Sequence, residues 1–156
     1  MFPIPWYVAA FESIPEAFLI IILALKIMDE KEVNYRQILL ASIIYGFITF
    51  FVRNITVRFE QHFLASLHTI ILILALALLF SLLCRKKFRA CFMPVFVVSV
   101  LYGLIQHVII LSIFIMLHLK ADVFEQYPWL TVILFIPVAG ITFWIVHLYA
   151  NSSRGM

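Results

Sequence analysis

An all-helical bundle of five membrane-spanning segments, with the N-terminus outside and the C-terminus in the cytoplasm, is the fold this sequence predicts. Three observations carry the prediction: an extreme composition, five apolar runs of spanning length, and an uneven distribution of basic residues. Of 156 residues, 65% are hydrophobic and only 12% charged, whereas a soluble domain carries roughly 25% charged residues. The links between apolar runs are short, so residues 1–156 form a single transmembrane domain with no room for a soluble unit. The net charge is only +3 and its basic residues fall at the ends of the runs, so it speaks to topology and not to nucleic acid.

A spanning helix needs about 20 mostly apolar residues. Five runs qualify: Tyr7–Met28, Gln37–Val57, Phe63–Leu83, Met93–Leu119 and Leu130–Tyr149. Counting Lys and Arg by alternate links orients them. One side receives Lys26, Lys31, Arg36, Arg85, Lys86, Lys87, Arg89 and Arg154, and the other only Arg53, Arg58 and Lys120, which is eight against three. Trp6, Tyr7, Tyr127 and Trp129 then mark the outer interface, and Trp144 and Tyr149 the inner one. The layout is that of a multi-pass protein of the bacterial cytoplasmic membrane.

The first span opens on Met1-Phe2-Pro3-Ile4-Pro5. It lacks the basic stretch of a secretory signal, and the apolar run behind it is too long for a signal core, so the span is expected to be retained. Within it, Ser13-Ile14-Pro15-Glu16 fits a capping box, in which the serine caps a helix and the acid three residues on reaches back. A helix starting there is too short to cross about 30 Å of hydrocarbon. Pro3–Glu12 would then be an outer half-helix or re-entrant arm. In the other reading the helix is continuous and Pro15 kinks it by freeing the carbonyl of Phe11. The apolar run begins well before Ser13, which favours the kink.

The most informative residues of the chain are Glu12 and Glu16, one helical turn apart inside this first span. A carboxylate at membrane depth is costly unless it has a partner or faces a wet cavity, so it marks a functional site by default. Spaced four apart, the two share a helix face. The outward-running second span brings Arg53 and Arg58 to the same outer layer. The third contributes Glu60, His62, Ser66 and His68, and the fourth ends there with His118, with Gln106 and His107 nearer the middle. Tyr45, Thr49, Arg53 and Thr56 recur at helical spacing, as do Ser99, Gly103 and His107 with His118 further along, and such stripes are expected to face neighbouring helices or a cavity. Glu12 or Glu16 with Arg53 is the expected core pair.

Plainer readings stand beside this one. A buried Glu–Arg pair also serves merely to fix register, Glu16 could cap a helix, Arg58 could snorkel to headgroups, and His62, His68 and His107 could be packing residues. His62, His68, His118 and the glutamates share a layer without the spacing of a metal motif, so no metal or cofactor is assigned. Cys84 and Cys91 flank the basic link on the cytoplasmic side, where thiols stay reduced, and are expected as interfacial thiols without a disulfide. A Cys–His dyad with His147 would be the nucleophile and base of a membrane peptidase, but no motif supports it. Pro137 and Gly140 fall on one stripe with Trp144 and His147, a place for a hinge or a close helix approach.

Phe2-Pro3-Ile4-Pro5-Trp6-Tyr7 followed by Phe11-Glu12-Ser13-Ile14-Pro15-Glu16-Ala17-Phe18 and a multi-pass region resembles the N-terminal membrane region of sensor histidine kinases of Firmicutes. These are of the sporulation and peptide-quorum-sensing type, with a GHKL ATP-binding domain. In layout the similarity covers the whole membrane portion, and in motif the first eighteen residues. Kinases of that type continue into a phosphoacceptor helix and an ATP-binding domain, whereas this sequence ends at Asn151-Ser152-Ser153-Arg154-Gly155-Met156. The resemblance therefore implies a non-enzymatic sensor-like module acting through a signalling kinase or another membrane protein. The rival expectation is a small transporter or channel subunit whose glutamates bind a proton or cation. No internal repeat supports a two-halved transporter, although a homo-oligomer could supply the second half.

Overall fold

The computed structural model describes residues 5–30, 33–58, 62–118 and 123–152, and the side chains of 57–67, 124–125 and 146–152 are outside the described set. The described residues form helices and turns with no strand among them. In order these are α1 (Trp6–Val8), a π-helical turn (Ala9–Ser13), α2 (Ile14–Ile27), α3 (Tyr35–Arg58), α4 (His62–Cys84), α5 (Phe88–Leu117), α6 (Val123–Gln126) and α7 (Trp129–Ser152). Three stretches are long and apolar enough to cross a membrane: Trp6–Ile27, Tyr35–Thr56 and Phe88–Leu117. The described apolar parts of the other two long helices, His68–Cys84 and Trp129–Ile145, are shorter.

The first helix does not begin at Ser13. Ser13 has helical angles and no side-chain capping bond, and the chain runs through it from Trp6 to Ile27 as one helix. What the sequence could not show is how Pro15 is absorbed. The helix widens by one residue just ahead of it, so that the Ile14 N–H donates to the Ala9 carbonyl five residues back. Proline lacks an N–H and its ring crowds the preceding turn, and a π turn there gives the ring room. Such turns recur at functional sites, and this one carries Glu12.

α2 is the central strut. Ala17, Ile21 and Ala24 are fully buried and Ile20 nearly so, because α2 packs against α3, α5 and α7 at once. Its apolar residues surround the helix instead of forming one stripe, as expected of a helix enclosed on most sides. α4 closes the bundle by packing against both α3 and α5, placing Leu76, Ala77 and Phe80 in the same core as Val95, Tyr102 and Val138.

Helix ends follow side-chain chemistry. Asn34 caps α3, its Oδ1 accepting the Arg36 N–H at 3.0 Å while Gln37 Oε1 accepts the Asn34 N–H at 3.4 Å. This is a capping box, with the Asn-x-x-Gln signature. α2, α4 and α5 each end on a residue in the left-handed region: Asp29, Arg85 and His118. Residues there let the next amides bond back into the last turn, as in Lys86 N–H to Ser81 O and Glu30 N–H to Leu25 O. The α4–α5 turn is tightened further by Ser81 Oγ donating to the Lys86 carbonyl at 2.7 Å and by an ion pair of Lys86 with Glu30.

Candidate ligand site in the polar layer

The π turn rotates Glu12 into the bundle, where it is 6% exposed. Arg53 of α3 lies across from it close enough to act on its charge, and the side chains of Gln106 from α5 and Thr131 from α7 lie beside the carboxyl. Glu16, one turn further along, sits next to Glu12 and Arg53. Tyr45, beside Thr49 on α3, and Tyr102 on α5 complete the wall near Glu16. Four helical segments thus each deliver polar groups to one layer. Periodicity explains the convergence: Tyr45, Thr49 and Arg53 lie one turn apart on α3, and Tyr102 and Gln106 do so on α5.

The layer is not internally satisfied. Among the described residues Glu12 Oε2, Arg53 Nε, Thr49 Oγ1 and Tyr102 OH are buried without a hydrogen-bond partner. Elsewhere in the bundle buried hydroxyls are spent on the helix itself. Ser42 donates to Ile38 O and Thr142 to Val138 O, each at 2.8 Å. Thr131 likewise donates to Pro128 O at 2.7 Å, so its proton does not serve Glu12. An unpaired buried polar group costs about 1–3 kcal/mol. Unpaired atoms of Glu12 and Arg53 themselves, with the hydroxyls of Thr49 and Tyr102 nearby, form a surface suited to a polar ligand or to ordered water.

Of the residues singled out from sequence, Glu12, Glu16, Arg53 and Gln106 are brought together. His107 is not: it faces away from the bundle, as does Gly103. The stripe Ser99–Gly103–His107 was set one position off, because the inward face of α5 is Cys91, Val95, Val98 and Tyr102, all buried. The spacing four, three, four along these residues was the available signal, and it leads on to Gln106. His118 caps the end of α5 with positive φ and is exposed. His68 is half-buried, with its Nε2 3.4 Å from the hydroxyl of the adjacent Thr69. The side chains of Arg58, His62, Ser66 and His147, and the whole of Glu60, lie outside the described residues.

Two further expectations change. Pro137 and Gly140 point away from the bundle, and a side chain added at Gly140 would meet nothing within 4 Å. Gly140 therefore makes no close helix approach within this chain. The inward face of α7 is Leu134, Phe135, Val138 and Thr142, and α7 remains helical through Pro137. Cys91 is fully buried in the core instead of interfacial, while Cys84 is half-buried, and both are free thiols. Among the described residues no three of His, Cys, Asp or Glu come together as a metal site.

Two concavities lie among the described residues. A groove of about 180 Å³ between the π turn and α3 is lined by Trp6, Ala9, Ile14, Gly46, Phe47 and Phe50 among others, nearly all apolar. At the opposite end, Glu30, Gln37, Cys84 and Arg85 border a polar pocket of about 230 Å³. Comparison of the chain with family models, with curated proteins and with solved structures gave no match.

Proposed function

We propose that this chain is a five-span protein of the bacterial cytoplasmic membrane, N-terminus outside, that acts as a non-catalytic sensor-like or accessory module. Its polar layer binds a small charged ligand, and the change passes along the first helix to a partner at the cytoplasmic side. The eight-to-three distribution of basic residues supports the orientation, and the resemblance of the first eighteen residues to kinase sensor regions supports the signalling role. The observation that carries the reading is Glu12: a carboxylate inside the bundle, facing Arg53, with Oε2 unpaired among the described residues. A ligand that engages one member of the pair releases the other, and the π turn ahead of Pro15 is where the helix can return to α geometry.

A second reading is favoured by the charge balance of the layer, which holds two carboxylates and one guanidinium. The excess acid suits a proton or a monovalent cation in transit, as in a small transporter or channel subunit.

Reconstituted protein separates the two. Liposomes loaded with a pH-sensitive dye and given a potassium-diffusion potential are expected to show no flux above that of empty liposomes. Affinity isolation from native membranes is expected to recover a kinase or other signalling protein, with recovery altered by Glu12→Gln. Flux abolished by Glu12→Gln would replace the sensor reading with transport.

A further inference from the structure

We propose that the α5 face carrying Gly103 and His107 is the seam of a homodimer within the membrane. This rests on different residues from the polar layer and does not depend on what that layer binds. α5 is the longest described helix, yet of the three stretches long enough to span it is the least covered: 6% of its most apolar window is buried inside the chain, against 33% for Tyr35–Thr56 and 56% for Trp6–Ile27. On the uncovered side stand Leu104, Val108 and Leu111, with the exposed Gly103 and His107 along one edge of that face.

His107 is the anomaly on that face. It is ten residues from the end of α5 at Leu117, about 15 Å at 1.5 Å per residue. The helix is about 45 Å long and the hydrocarbon about 30 Å thick, which puts the imidazole within the apolar layer. Ionisable side chains at that depth almost always face protein or a wet cavity, because lipid tails offer no hydrogen bond. Its neighbour Gln106 turns inward to Glu12. Among the described residues none bonds to the exposed His107 side chain.

A second copy of the chain fits the vacancy of partners better than lipid does. A neutral imidazole has one donor and one acceptor, so two of them can bond to each other. A two-fold axis along the membrane normal brings both to one depth without further adjustment. Gly103 lies one turn away, and a side chain added there would meet nothing within 4 Å. Its missing Cβ lets two α5 backbones approach closely, as small residues do at membrane helix contacts. A different protein would need its own polar group at the same depth.

The test is self-association of the full chain in liposomes, read by energy transfer between differently labelled copies as lipid dilutes protein. Wild type and Leu78→Ile, altered on the exposed face of α4, are expected to dimerise equally. His107→Leu and Gly103→Ile should each weaken association about tenfold. His107→Asn, whose amide still donates and accepts, should stay within about threefold of wild type. A wild type that remains monomeric at all dilutions, or a His107→Leu variant that dimerises as well as wild type, overturns the proposal. So does a photo-crosslinker at position 104 that captures only another membrane protein in cells.

Discussion

Glu12 on the π turn and Arg53 on α3 face each other in the interior of the bundle, each with one buried polar atom that none of the described residues satisfies. The relationship depends on backbone geometry at two places. The π turn aims Glu12, and the contact of that turn with α3 sets its distance from Arg53.

The second place is Gly46. A Cβ there would stand 2.5 Å from Cγ1 of Ile14, a β-branched side chain with little rotamer freedom. Gly46→Ala is expected to destabilise by about 1–3 kcal/mol. Ile14→Ala in the same chain should recover most of the loss by removing the clash. Unfolding in detergent, followed by helical dichroism for the two single variants and the double, checks this. Additive losses would show that α3 does not approach the first helix so closely.

Tyr102 gives a test of opposite sign. Its hydroxyl is buried without a partner among the described residues, so Tyr102→Phe removes an unsatisfied group at almost constant shape. Stability should be unchanged or rise by up to about 1 kcal/mol, while binding or partner recovery falls. A loss of more than about 1 kcal/mol would show that the hydroxyl has a partner in the folded protein.

The Lys86–Glu30 pair closes the α4–α5 turn outside the spans, and its hydrogen bond raises the lysine above its ordinary 10.5. A raised pKa in the folded state means that the pair contributes while the lysine is charged in both states. The contribution is lost as pH climbs through the folded value. The melting-temperature difference between wild type and Lys86→Met should therefore be constant from neutral pH up to about 10.5, and shrink above it. The difference should be small, since such exposed pairs contribute little. A difference that grows with alkalinity would contradict the sign.

Much of this was legible in the sequence. Composition and the length of the apolar runs gave an all-helical, membrane-type chain, and Glu12, Glu16 and Arg53 stood out because charge is rare at such positions. The inward face of α5 is hard to read from sequence because Gly103 and His107 are the distinctive residues of that run, while Tyr102 belongs to a plain run of large side chains. Thr131 could not be found in advance, since nothing in its own run says that the start of α7 reaches the π turn. The π turn was hidden for a related reason: Pro15 announces a disturbance, but whether a helix kinks, breaks or widens depends on what packs around it. The start of α3 is encoded in Asn34 and Gln37, whose side chains cap it ahead of the apolar run.

The most direct test of the central claim is a double-mutant cycle on Glu12→Gln and Arg53→Met, read as unfolding free energy in lipid-like detergent. Arg53→Met alone is expected to cost about 3–5 kcal/mol, because it leaves buried carboxylates without an opposite charge. The double variant should be more stable than the sum of the singles allows, with a coupling above about 1 kcal/mol. Losses that add to within about 0.5 kcal/mol would mean that the two side chains do not share a water-poor layer.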